Sequence, residues 1–380
     1  MNPRVLDISG SMIRCVASRK RASSIDLGLG EPSLPPNPAH FDGAMEYVRA
    51  HGIRYTPNAG DPELRTAIAA HYAYAGLLDA GNVCVTVGSQ EAMYVTIATL
   101  LDPASDELLV IEPTFPSYVK IAALHGITVR TVAMAERDDF AFDAERIVRA
   151  LGERTRAVVL CSPCNPTGRA ISPAQAALLA RELERRGGSI ALIHDEIYRE
   201  QCFVERVDFA RLYANTIVVG SLSKSNALTG LRLGWILAPA AFVEQAVKVH
   251  AWITSCADAF AQRVALHVFQ TNALAEHAAW YATRLVPTVA ALRASDLRFI
   301  APDGAFYACV ELPGGAPSLE TALALVDEDD VVTIPGVAFG ACLEGWLRLS
   351  WVAPENDLQE GLRRIGARCV TSAGPGGTIR

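Results

Sequence analysis

The 380-residue chain lacks a net positive charge, a long apolar run and a regular cysteine framework, and each absence removes a class of function. Lys and Arg number 34 against 41 Asp and Glu, a formal charge of −7. That leaves no basic footprint for nucleic acid or an anionic membrane, although a small anion could still be held locally. No stretch reaches the roughly 18 uninterrupted apolar residues of a membrane span. Residues 1–22 mix charge with short apolar pieces, unlike a secretory signal. The nine cysteines form an odd set, so free thiols in a reducing, cytoplasmic setting are expected. Cys161 and Cys164 have CxxC spacing, yet no second pair or histidine motif accompanies them, and no metal site is expected. No GxGxxG follows the first strand, which argues against a nicotinamide dehydrogenase. No basic helix-turn-helix candidate precedes the main pattern, which argues against a ligand-sensing DNA-binding regulator.

What is present is the composition of a well-buried enzyme: 51% hydrophobic and 20% charged residues, with mean hydropathy +0.21. The length exceeds one ordinary core and predicts two domains. From residue 80, short β-branched runs alternate with amphipathic stretches. Strands are expected at 83–87, 107–111, 127–132, 156–161, 190–194 and 216–220, with helices at 90–101 and 173–186. This pattern predicts an α/β fold, a mostly parallel sheet covered by helices on both faces. Beyond residue 275 a long helix (274–293) leads to runs at 298–300, 305–310 and 346–351 that read as antiparallel strands. The expected division is a large α/β domain at 41–275 and a smaller α+β domain at 276–380, with segment 1–40 packing against the latter. The tail 371–380 is expected to fray.

In open α/β sheets, ligands bind beyond the carboxyl ends of the strands. Reading each strand to its end gives Gly88-Ser89-Gln90, Glu112-Pro113-Thr114-Phe115, Cys164-Asn165-Pro166-Thr167-Gly168, Asp195-Glu196-Ile197-Tyr198 and Ser221-Leu222-Ser223-Lys224. Five strand ends thus converge on polar, aromatic and lysyl groups.

An ordinary lysine, with pKa about 10.4, is neutral in only about one molecule in 2,500 at pH 7. A nucleophilic Lys224 would need desolvation or a neighbouring cation, and Arg232 lies eight residues on. The competing reading is a solvated surface lysine. Asp195 closes an apolar strand, where an unpaired carboxylate is costly and needs a cationic partner; otherwise it caps the following helix. His194, next to it, should point to the opposite face. Arg348 stands in the strand-like Trp-Leu-Arg-Leu-Ser-Trp, where it either captures a carboxylate bidentately or faces solvent on an edge strand.

The ordered segments SPCNPTG (162–168), DEIY (195–198), SLSKSNALTGLRLGW (221–235) and LRLSW (347–351), supported by GLGEPS (28–33) and RYTPNAGDPELR (54–65), resemble the class I/II aminotransferase family of fold-type I pyridoxal-phosphate enzymes. The resemblance spans about residues 25–365. It implies pyridoxal 5′-phosphate held by Lys224 as an internal aldimine, Lys224 then serving as general base. Asp195 would pair with the pyridine nitrogen, while Tyr198 and Asn165 would reach the ring hydroxyl. Tyr198 would share a helical face with Asp195, and Pro166 suits a tight, cis turn. Ser89, Gln90, Ser221, Ser223 and Arg232 would hold the phosphate, with a helix N-terminus contributing N–H groups. Phe115 would stack on the ring; Tyr118 is either a second contact or core.

Arg348, with Gly30 and Asn165, would bind the substrate α-carboxylate. Tyr55 matches a tyrosine that reaches the neighbouring subunit's phosphate, which implies a homodimer with shared sites. Cys164 stands where a polar residue is more usual. Gln90 stands where some acidic-substrate members carry lysine, and no second arginine for a distal carboxylate is evident. Amino acids and 2-oxo acids are the implied substrates. The same Lys, Asp and Arg would also serve a lyase, a decarboxylase or a synthase.

Overall fold

The computed structural model describes residues 1–28, 30–32, 34–72 and 79–372. Leu29 and Ser33 of the GLGEPS segment lie outside the described residues, as does the tail from residue 373 on. The strands, in chain order, are β1 (Ile25–Asp26), β2 (Val83–Thr86), β3 (Glu107–Glu112), β4 (Thr128–Ala133), β5 (Thr155–Cys161), β6 (Ala191–Asp195), β7 (Thr216–Ser221), β8 (Gly234–Leu237), β9 (Phe299–Ile300), β10 (Tyr307–Glu311), β11 (Val331–Val332), β12 (Ile334–Pro335) and β13 (Trp346–Ser350).

Seven of them form the large sheet, ordered β2-β8-β7-β6-β5-β3-β4. Only β8 runs against its neighbours, pairing antiparallel with both β2 and β7; the others pair parallel. The sequence reading found every parallel strand to within two residues and missed β8. Alternate residues of the parallel strands enter two different cores. Leu108, Val110, Val159, Ile193 and Val219 lie in one, whereas Leu109, Ile111, Val158, Leu160 and Leu192 lie in the other. Both faces are therefore buried, which is why these strands read as continuous apolar runs rather than alternating ones. The covering helices show the complementary stripe. In Pro173–Arg185, Ala176, Leu179, Ala180 and Leu183 are buried, Ser172 caps the first turn and a proline opens it.

The four-stranded sheet β12-β13-β10-β9 is antiparallel throughout. The N-terminal segment docks onto this part of the chain. β1 pairs parallel with β11, and the Ser350 N–H donates to the Leu27 carbonyl at 2.7 Å. Among the described residues, no helix is long and apolar enough to cross a membrane.

Candidate active site

Parallel strands present their carboxyl ends along one edge, and the chain leaves that edge at the expected residues. β2 runs directly into helix Gly88–Leu100, whose first turn has no side-chain cap, so the N–H groups of its first turn are open to an anion. Gly88 has φ +82°, and a Cβ there would lie 2.4 Å from an Arg232 Nη atom. Glycine is thus required both by the backbone and by the guanidinium seated against it. Arg232, itself left-handed (φ 52°), also donates to the Thr229 carbonyl at 2.9 Å. Ser89 is partly exposed and Gln90 exposed.

β7 ends at Ser221, which starts the one-turn helix Leu222–Ser225 bearing Lys224. Ser221 Oγ accepts from the Ser223 N–H at 3.0 Å and donates to the Leu233 carbonyl at 2.6 Å. Its hydroxyl is therefore occupied in fixing the turn, and Ser223 Oγ stands 2.8 Å away. The Lys224 carbonyl is held by Tyr281 Oη at 2.9 Å and Gln201 Nε2 at 3.1 Å. Its Nζ donates to the Gly30 carbonyl at 2.6 Å. Burial, then the cations Arg348, Arg232 and Arg14, bring the Lys224 ammonium down to about 8, Glu31 opposing them. With that value about one amine in ten is neutral at pH 7, against one in 2,500 for an ordinary lysine. The solvated-lysine reading is excluded.

Asp195 ends β6 and is buried. One carboxylate oxygen accepts from Tyr118 Oη at 2.5 Å and the other from the Ile197 N–H at 3.1 Å. Burial raises its pKa, although the two hydrogen bonds oppose the rise. No ion pair with Asp195 is present among the described residues. Its neighbour His194 faces the other way, edge-on to Phe209 and 2.8 Å from Glu196.

Two local expectations are corrected here. Asp195 caps no α-helix, because residues 196–198 form a turn into the 3-10 helix Arg199–Gln201. Tyr198 therefore shares no helical face with it, and its hydroxyl instead meets Tyr307 Oη at 3.1 Å. The cis peptide of the SPCNPTG loop lies at Ser162–Pro163, not at Asn165–Pro166.

Arg348 is central in the four-stranded sheet, opposite Cys309 on β10 and Ile334 on β12, and only 3% exposed. The edge-strand reading fails. One Nη donates to Asn165 Oδ1 at 3.2 Å and the other to the Gly28 carbonyl, while the buried Nε has no partner. The faces of Tyr307 and Phe339 lie 4.3 and 5.2 Å from the guanidinium. This is a buried cation with aromatic faces and carbonyls around it and, among the described residues, no carboxylate paired with it, a setting made for an incoming anion. Phe115, half-buried, packs edge-on to Tyr118. Tyr55 is not brought to the rest of the site within the chain, and at 88% exposure it stands free. Cys161 and Cys164 are buried free thiols directed at the Pro163 and Pro113 carbonyls.

Residues 23–365 match the model of aminotransferase class I and II. The chain belongs to the class I and II aminotransferase family. An aspartate aminotransferase of Pyrococcus horikoshii is 30% identical over 377 residues, 95% of each chain. A probable N-acetyl-LL-diaminopimelate aminotransferase of Bacillus subtilis is 31% identical over 382 residues, 96% of this chain and 94% of that one. Among solved structures, the aspartate aminotransferase of Thermotoga maritima superimposes with TM-score 0.90 at 26% identity, covering 97% of this chain and 99% of that one. That of Thermus thermophilus with maleate gives 0.88 at 28%, with the same coverage.

This aminotransferase is a fold-type I, pyridoxal-phosphate-dependent enzyme acting on amino and 2-oxo acids. Its residues fit the cofactor: an open helix N-terminus with a guanidinium for a phosphate, a depressed lysine for an aldehyde, and a buried carboxylate short of a cation. Two contributors escaped the sequence reading, and a third was left open. Tyr307 carried no signal, because its approach to Arg348 depends on strand register. Tyr118, read as either a second ring contact or core, is buried and donates to Asp195. Arg14 was not singled out; exposed and unpartnered among the described residues, it exerts the weakest of the charge effects on Lys224.

Proposed function

We propose that the residues of this site divide the work of amino-group transfer as follows, with the buried, cation-deficient Asp195 as the observation that carries the reading. Pyridoxal phosphate, when bound, supplies an aldehyde that condenses with amines and a cationic ring that stabilises negative charge on the adjoining carbon. Asp195, held by Tyr118 and the Ile197 N–H, keeps the ring nitrogen protonated. Arg232, Ser223, Ser89 and the N–H groups at Gln90 hold the phosphate, with Ser221 fixing the turn that presents them. Asn165 and Tyr198 would hold the ring hydroxyl, and Phe115 would pack against the ring. Lys224 Nζ would hold the cofactor's aldehyde carbon, and the same amine would take the proton from the substrate α-carbon. Arg348 takes the α-carboxylate with Asn165 and the Gly30 backbone, which fixes the bond presented to the ring.

The substrate class is an acidic amino donor. Arg232 answers the phosphate and Arg348 the α-carboxylate, and the exposed Arg14, whose charge reaches Lys224 more weakly than theirs, is the further cation at hand. It supplies the charge that Gln90 does not. The dicarboxylate maleate in the Thermus thermophilus enzyme and the aspartate named for several relatives support this choice.

The enzyme is further read as a cytoplasmic homodimer. Ile53, Tyr55, Trp252 and Ile253 are all exposed, and the loop carrying the first two is joined to the end of helix Ala240–Thr254, which carries the others, by the bond from Asn58 Nδ2 to the Ser255 carbonyl at 2.7 Å. A partner covering that patch would bring Tyr55 to its phosphate. The division into segment 1–40, a cofactor domain at 41–275 and a smaller domain at 276–380 accords with the docking of β1 on β11.

A panel of amino donors tests the reading. Aspartate or glutamate should convert the loaded enzyme fully to its amino form and release one equivalent of 2-oxo acid. Arg14→Ala should lower kcat/KM for acidic donors about 10- to 100-fold, the loss of one charged hydrogen-bonding contact, and spare apolar donors. Equal losses for both donor classes would remove Arg14 from the substrate site.

A further inference from the structure

Tyr307 touches three parts of the site that come from distant stretches of chain. Its ring face lies 4.3 Å from the Arg348 guanidinium. Its hydroxyl is 3.1 Å from that of Tyr198. The same hydroxyl seats against the Gly30 Cα so closely that a Cβ there would lie 1.8 Å from it, and the Gly30 carbonyl is the acceptor for Lys224 Nζ. The residue is 2% exposed and has little freedom. β10 pairs it with Ser350, and Phe306 and the edge of Tyr198 flank its ring at 4.7 and 5.6 Å.

We propose that Tyr307 is a positioning residue with two separable functions: its ring holds the carboxylate-binding Arg348, and its hydroxyl directs the proton of Tyr198 toward the cofactor. The inference rests on the reading of Arg348 as the carboxylate anchor. The ring function follows from charge. Among the described residues no carboxylate pairs with the buried Arg348, and the faces of Tyr307 and Phe339 join the Asn165 and Gly28 oxygens in offsetting its charge before substrate arrives. Without the Tyr307 face, the guanidinium loses the wall that keeps its free Nε in place.

The hydroxyl function follows from the same contact. A cation over a phenol ring makes the phenol a better donor, so Tyr307 donates to the Tyr198 oxygen. Tyr198 must then turn its own proton to its other side, toward the ring hydroxyl oxygen it is read to contact. A hydrogen bond to the ionised form of that oxygen favours ionisation and lowers the pH at which the chromophore titrates.

The test separates ring from hydroxyl in the holoenzyme. Tyr307→Phe keeps the ring, so KM for amino donors should stay within about twofold. The pH midpoint of the visible absorption change, a readout independent of turnover, should rise by about half a unit or more. Tyr307→Leu should show the same rise and also a KM raised about tenfold or more with kcat much less affected. The inference is overturned if Tyr307→Phe titrates at the wild-type midpoint, or if Tyr307→Leu has the KM of Tyr307→Phe. Should the leucine variant fail to fold, the titration of Tyr307→Phe decides alone. Arg348→Ala, run alongside, keeps the two readings apart. An unchanged KM there rejects the anchor itself, whereas a raised KM with normal Tyr307 variants rejects only the role given to Tyr307.

Discussion

At the scale of single residues, the site works by leaving charges incompletely answered. Asp195 has two hydrogen bonds and no cation, and burial raises its pKa. Removing its charge while keeping its shape should therefore weaken cofactor binding and slow turnover together. Asp195→Asn is expected to lose about 10- to 100-fold in each, as befits a charge-assisted hydrogen bond of about 1.5–3 kcal/mol; equilibrium dialysis and initial rates measure them. Tyr118→Phe removes one of the two bonds holding that carboxylate and should cost about tenfold or less in turnover. Lys224, Asp195 and Arg348 were legible in the sequence, because a charged side chain at the end of or inside an apolar strand has few reasons to be there. Tyr307 and Arg14 were not, and Tyr118 was legible only as a ring contact or a core residue. Their roles depend on which residue of a neighbouring element they meet, and that is written in register and packing rather than in local pattern.

At the scale of elements, the strand-to-helix junctions carry the function and a charged network lies behind them. Glu196 and Arg199 lie 2.7 Å apart, both buried, and Arg199 also reaches Asp208 at 2.7 Å. Burial alone would raise the Glu196 pKa, but His194 and Arg199 outweigh it and hold the carboxyl at about 2. Folding thus keeps Glu196 ionised where the unfolded chain would bind a proton. Its contribution is full above the ordinary value of 4.5 and is lost as pH falls towards 2. Glu196→Gln should destabilise the protein by about 3 kcal/mol in urea at pH 7 and flatten the stability–pH curve between those two values. An unflattened curve would mean the network contributes no linkage.

The parallel strands were readable because burial on both faces leaves a distinctive apolar run. β8 escaped because Gly234–Leu237 sits within a segment dominated by its chemical motif, and nothing in four apolar residues states which way a strand runs.

At the scale of the whole molecule, the proposed homodimer would complete the site with a residue from a second copy. Tyr55 is 88% exposed and Trp252 93%, on two segments joined by the Asn58–Ser255 hydrogen bond, and large apolar side chains exposed on adjoining segments mark an interaction face. Trp252→Asp should yield monomers in sedimentation velocity, with activity reduced at least tenfold, because each site would lack its neighbour's tyrosine. A dimer that persists unaltered would place the interface elsewhere. The proposed two-part organisation rests on the change of texture near residue 275. The pairing of β1 with β11, more than three hundred residues away in sequence, was expected only as proximity, since long-range pairing leaves no local trace.

The account as a whole stands on one amine. The most direct measurement is hydride reduction of the enzyme loaded with pyridoxal phosphate, followed by peptide mapping by mass spectrometry. The fixed cofactor should appear on the peptide containing Lys224 and nowhere else, with an attachment rate that rises with pH around 8, as the depressed amine requires. Attachment at another lysine, or undiminished attachment in Lys224→Ala, would contradict the account.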